Sequence, residues 1–129
     1  MPLLNFHVFE GRDGKALRSL LDAAHQAMVE AFDVPVTDRY QTVTQHKVGE
    51  LILDDTGLGM ARTENAVLLA VVTRPRPRAQ KVRFYELLSH HLREQCGVAP
   101  DELVVSLVEN ADADWSFGRG RAQFLTGEL

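Results

Sequence analysis

Cysteine is nearly absent: Cys96 is the only one in 129 residues. No intrachain disulfide can form, nothing speaks for an oxidising compartment, and the cytoplasm is the expected location. Aromatic residues are sparse as well, at 7% with a single tryptophan, and no window approaches the roughly 18 apolar residues needed to span a bilayer. The opening Met1-Pro2-Leu3-Leu4-Asn5 lacks the basic stretch and apolar core of a signal peptide. A surplus of positive charge is also missing. Fourteen Lys and Arg against 18 Asp and Glu leave a net charge of −4, which repels nucleic acid and anionic membrane and makes any anion site local. There is no Gly-x-Ser-x-Gly and no Walker loop, and Gly57-Leu58-Gly59 lacks the third glycine of a dinucleotide fingerprint. The histidines His7, His25, His46, His90 and His91 show no ligand spacing, and Asp54-Asp55-Thr56-Gly57 is not an EF-hand loop. Neither metal nor organic cofactor is expected.

What is present is an ordinary globular balance, 45% hydrophobic and 25% charged, which fits one domain over residues 1–129. Leu3 to Phe9 reads as a strand, closed by the turn formers Glu10 to Gly14, with Asp13 as the N-cap of a following helix. From Lys15 to Phe32, Leu17, Leu20, Leu21, Ala24, Met28, Ala31 and Phe32 recur at helical spacing. Val34-Pro35 ends that helix, and Tyr40 to Gln45 has the β-branched character of a strand. The second half repeats the plan. Ala66 to Thr73 reads as a strand buried on both faces, Pro77 suits the first turn of a helix ending at Gly97, and Leu103 to Val108 is the next strand. Lys47 to Asn65 reads as a connecting loop with a short strand at Glu50 to Leu53.

A gap-free shift of 64 positions lays Arg12 on Arg76, Leu20 on Phe84, Met28 on Leu92 and Asp38 on Glu102. The expected architecture is therefore α/β, or α+β by some schemes: two β-α-β pseudo-repeats, about 2–46 and 66–110, and a tail at 111–129. Right-handed crossovers put both helices on one face of a four-stranded sheet. With no third long helix to cover the other face, a homo-oligomer is the economical solution.

Three features carry chemistry. Pro2 would offer a secondary amine at the start of the first strand once the initiator methionine is removed. Such an amine acts as a base when neutral, as a proton donor when charged, or as an iminium former with a carbonyl; a retained Met1 would instead leave a peptide nitrogen without a basic lone pair. Between Arg74 and Arg83 lie five basic residues and no acid. Prolines hold Arg74-Pro75-Arg76-Pro77-Arg78 extended at the join of a strand and a helix, where unpaired amides add to an anion site. Asp38, close to an amine and arginines, would stay ionised and tune the amine or position a water. Trp115 and Phe117 could supply an apolar wall that excludes water.

These residues stand within a longer pattern: Pro2-Leu3-Leu4, Leu20-Leu21-Asp22-Ala23-Ala24-His25, Asp38-Arg39-Tyr40-Gln41, Asp54 to Gly59, Arg74-Pro75-Arg76, Asp114-Trp115-Ser116-Phe117-Gly118 and Gln123-Phe124-Leu125-Thr126-Gly127. End to end, the chain resembles the tautomerase superfamily, and within it the malonate semialdehyde decarboxylase branch. The resemblance implies a homotrimer with Pro2 as catalytic amine, Arg74 and Arg76 as carboxylate holders, and Asp38 as the acid that orients water or tunes the proline. Trp115, Phe117, Phe124 and Leu125 would line an apolar pocket. The implied activity is cofactor-independent decarboxylation of malonate semialdehyde or a similar short 3-oxo acid. The alternatives are a promiscuous tautomerase or hydratase of small carboxylates, and a non-catalytic trimeric binding module if Met1 is retained. Related dehalogenases use a glutamate where this chain presents Trp115, so dehalogenation is the poorer expectation.

Overall fold

In a computed structural model covering residues 1–129, the elements run β1 (Leu3–Phe9), α1 (Gly14–Phe32), β2 (Tyr40–His46), β3 (Val67–Thr73), α2 (Arg78–Cys96), β4 (Leu103–Glu109) and a one-turn α3 (Gln123–Thr126). Short 3₁₀ turns at Pro100–Glu102 and Asp112–Asp114 flank β4. Each long helix starts and stops for a local reason. Asp13 accepts a 2.7 Å hydrogen bond from Ala16 N–H and so satisfies a donor that the first turn leaves free. At the other end Asp33 turns left-handed (φ 52°), and Val34-Pro35 follows. In α2, Pro77 stands immediately before the first helical residue rather than inside the first turn. Gly97 (φ 67°) closes the helix, with Val98 N–H reaching back to Leu92 O.

The sheet order is β2-β1-β3-β4, parallel within each β-α-β unit and antiparallel where β1 meets β3. The elements α1 and α2, and β1 and β3, are offset by 64 residues, whereas β2 and β4 are offset by 63. Both long helices lie together on one face of the sheet. Beneath them sit Leu4, Phe6 and Val8 of β1 and Val67, Leu69 and Val71 of β3, packed with Leu20, Met28, Phe32, Phe84, Leu88 and Leu92. Burial alternates along both central strands. β3 is thus fully covered on one side only, and within a single chain its other side, Leu68, Ala70 and Val72, is half-buried.

The strand expected at Glu50 to Leu53 does not form. Its apolar alternation is real, with Leu51 and Leu53 half-buried and Ile52 exposed. A strand also needs a neighbouring edge, however, and this stretch has none. The loop is tied down by side chains instead: Arg62 donates to Asp54 O and Asp101 O, and Asp55 accepts from Gly57 and Gly59 N–H. No helix is long and apolar enough to cross a membrane.

Candidate active site

Strand register alone gathers the candidate residues at one end of the sheet. Leu3 pairs with Val72 across the antiparallel junction, so Pro2 lies level with Thr73 and the arginine turn that follows it. Leu3 also pairs with Tyr40, which brings the Asp38–Arg39 segment to the same end, and Thr73 pairs with Glu109, which brings in the start of the tail.

The two arginines are held in different ways. Arg76 Nε donates to Thr73 Oγ1 (3.1 Å) and Nη1 to Phe32 O (3.4 Å), with the guanidinium 5.0 Å from the Phe32 ring centroid. All of these side-chain partners are neutral. Thr73 is fully buried, and its hydroxyl also donates to Arg74 O. Glu109 accepts from Arg76 N–H and pairs with Lys81, so its charge is spent on the outer side of the turn. Arg74 Nε instead meets a carboxylate, Asp112 Oδ1, at 2.7 Å, while its guanidinium lies 4.0 Å over the Phe124 ring. Arg74, Pro75, Arg76 and Asp112 line a cleft of about 460 Å³. Another cleft, under the loop at Phe9, Val48, Leu51 and Ile52, holds a single cation, Arg62, already bonded to backbone carbonyls.

The terminal amine of Met1 belongs to the same cluster, and Pro2 behind it is buried. Burial lowers the amine's pKa below the ordinary value; Asp38 pulls the other way, Arg76 and Arg74 push it further down, and Asp112 raises it. Asp38 therefore acts with the expected sign and is outweighed. Asp38 itself is 5% exposed, with Oδ1 unpartnered. Burial raises its pKa, and the amine, Arg76 and His25 oppose that rise without cancelling it. Burial therefore makes the Asp38 charge costly, while the amine, Arg76 and His25 favour it. Burial, then Arg74, likewise lowers the Arg76 pKa, with Asp38 opposing.

The tail supplies an aromatic wall. Trp115 stacks on Phe117 (5.5 Å), Phe117 meets Phe124 edge-on (5.4 Å), and Tyr40 of β2 joins at 5.6 Å from Phe117. Trp115 Nε1 donates to Asn110 Oδ1, and the Gln123 amide bridges Phe117 N–H and Gly118 O. Of the expected lining residues, Leu125 is the one that the structure does not bring in: it stands 62% exposed on α3. Sequence reasoning missed Thr73, Asp112, His25 and Tyr40. Thr73 was legible only as the one hydroxyl ending an apolar strand. His25 is buried on α1 beside Asp38, and its Nε2 donates to Val36 O.

A second cluster occupies the positions 64 residues away. Arg12, the counterpart of Arg76, donates to Asn65 O (2.9 Å) and Asn65 Oδ1 (2.7 Å). Glu102, the counterpart of Asp38, accepts from Thr63 N–H and Oγ1. Where the first cluster has a chain terminus, this one has the Asn65–Ala66 peptide.

Two sequence families, each described as tautomerase enzyme, match the chain over residues 38–118 and 2–61. It is 55% identical over 129 residues to Probable tautomerase YrdN of Bacillus subtilis (strain 168), covering 100% of both chains. It is 31% identical over 126 residues to Probable tautomerase YusQ of the same strain, covering 97% of this chain and 99% of that one. Among solved structures, malonate semialdehyde decarboxylase, studied in wild-type, mutant and inactivated forms for its decarboxylase and hydratase activities, superposes with a TM-score of 0.97 at 61% identity, with 98% of each chain covered. A malonate semialdehyde decarboxylase inhibited by 3-bromopropiolate superposes with a TM-score of 0.94 at 36% identity, covering 98% of this chain and 97% of that one. A fused 4-OT symmetric trimer shares the fold, with a TM-score of 0.78 at 21% identity and coverage of 97% and 98%.

Proposed function

The chain belongs to the tautomerase family, and on that premise we propose that it decarboxylates malonate semialdehyde, or a similarly short 3-oxo acid, to an aldehyde and CO₂ without a cofactor. The observation that carries this reading is a terminal amine and Asp38 close enough to feel each other's charge and that of Arg76, beside a cleft lined by two separately anchored arginines. The 61% identity to a malonate semialdehyde decarboxylase supports it.

Losing CO₂ from a 3-oxo acid sends the electron pair of the breaking C–C bond toward the carbonyl, forming an enolate that is then protonated on carbon. The barrier falls if a cation waits at the carbonyl oxygen. Removal of Met1 makes Pro2 the terminal amine. Charged, it donates a hydrogen bond to that oxygen; neutral, it adds to the carbonyl, expels water as an iminium that accepts the electron pair, and is restored by hydrolysis. Arg74 and Arg76 hold the carboxylate with the breaking bond perpendicular to the carbonyl plane. Asp38 tunes the amine or orients a water, and Trp115, Phe117 and Phe124 keep bulk water out. A homotrimer would cover the open face of the sheet with further copies of the chain, in keeping with the trimer described for a relative of the same fold.

Pro2→Ala and Arg76→Ala should each lower turnover of malonate semialdehyde by roughly 10²-fold or more in protein that keeps its circular dichroism spectrum and oligomeric mass. Near-normal rates in either variant would overturn the assignment. A second reading, tautomerase or hydratase activity on small 2-oxo or unsaturated carboxylates, is favoured by the names of the Bacillus relatives; enol–keto conversion of phenylpyruvate assayed beside decarboxylation separates the two. If intact mass shows Met1 retained, the site has no secondary amine and the protein reads as a non-catalytic binding module.

A further inference from the structure

The asymmetry between the arginines has a consequence for substrate charge. Arg76 is anchored by a hydroxyl, a carbonyl and a ring, so none of its side-chain contacts neutralises it. Arg74 is paired with Asp112, which sits on the wall of the same cleft with its side chain 45% exposed. Only Nε of Arg74 is used in that pair, which leaves the Nη edge of the guanidinium open to a ligand. Asp112 is itself fixed within a short 3₁₀ turn, Asp112–Asp114, whose start is closed by Asp114 accepting from Ala111 N–H (2.7 Å). Counted together, the amine in its charged form, Arg74 and Arg76 oppose Asp38 and Asp112, so the cluster carries one surplus positive charge.

We propose that Asp112 is a positioning and specificity-determining residue: it orients Arg74 through Nε and cancels one guanidinium charge, so the cleft accepts monocarboxylates and rejects dicarboxylates. The inference rests on the carboxylate-binding reading given above and adds to it the charge class of the ligand. A second carboxylate on the ligand would lie against Asp112, and like charges that share a partly desolvated site repel strongly. Rejection by an added repulsive group is a general route to specificity.

Asp112→Asn separates the two roles, because an amide oxygen still accepts from Arg74 Nε while the negative charge is gone. The full-length processed protein is titrated calorimetrically at neutral pH with two probes of matched size, 3-hydroxypropionate as monoanion and malonate as dianion. Wild-type protein should bind the monoanion more tightly. In Asp112→Asn the affinity ratio should move toward malonate by about tenfold, an effect that shrinks as salt is raised, and Asp112→Glu should restore the wild-type preference. An unchanged ratio with both acids still bound overturns the role of Asp112 and leaves the decarboxylase reading intact. If wild-type protein binds neither acid, both fall together. The expected ratio shift in protein that does not turn over malonate semialdehyde sustains the present inference and defeats the decarboxylase reading alone.

Discussion

Asp38 is a carboxylate placed where its charge is costly. Its native pKa lies above the ordinary 3.8, with burial as the leading cause. Between that value and the raised one the native state binds more protons than the unfolded chain, so stability falls as pH rises through this window, and the deficit persists at neutral pH. Asp38→Asn should therefore raise Tm at pH 7, by an amount that shrinks as pH drops toward the ordinary carboxylate range, while turnover falls. Because Asp38 also raises the pKa of the neighbouring amine, the same variant should shift the amine limb of the pH–rate profile to lower pH. A variant that melts lower at neutral pH, or a limb that moves upward, contradicts this account. Little of it could be read from sequence: Asp38 was recognisable as a candidate from its place after the first helix and its match to Glu102 under the 64-residue shift, but its burial follows from the packing of α1 and the Val34–Pro35 break.

Elements were far more legible than partnerships. Asp13, Val34-Pro35 and Gly97 mark helix ends by backbone chemistry that acts within a few residues, and both ends of α1 and the end of α2 fall within a residue or two of them. The Glu50–Leu53 segment shows the converse, since alternation is necessary for a half-buried strand and a hydrogen-bonding neighbour is not encoded locally. The pairing of Arg74 with Asp112 spans 38 residues, and neither residue predicts the other. The tail also depends on such distant ties. Neither its 3₁₀ turn nor α3 contains a buried residue, so the aromatic wall is held by specific bonds, chiefly the Gln123 bridge to Phe117 and Gly118. Gln123→Ala should loosen the wall without unfolding the sheet. The expected signs are a red-shifted, more quenchable Trp115 emission and a severalfold lower kcat/KM, with Tm changed by only a few degrees. A loss of all cooperative unfolding would show instead that the tail is part of the core.

For the whole molecule, the open face of the sheet and the two clusters 64 residues apart make linked predictions. If copies of the chain cover that face, sedimentation equilibrium should return about three times 14.4 kDa. Treatment with 3-bromopropiolate, the inhibitor of one structural relative, should add a single adduct per protomer, mapped to the amino-terminal peptide. Two adducts, or one near Arg12, would mean that the second cluster is reactive. That cluster has an arginine and an acid in matching places, yet Asn65 and Thr63 have taken up their hydrogen bonds. A polypeptide has only one beginning. In the second of the two like units an internal amide stands where the first has the chain's terminal amine, so on the proposed mechanism only one working centre per chain is expected, and an affinity tag appended ahead of Met1 should abolish turnover.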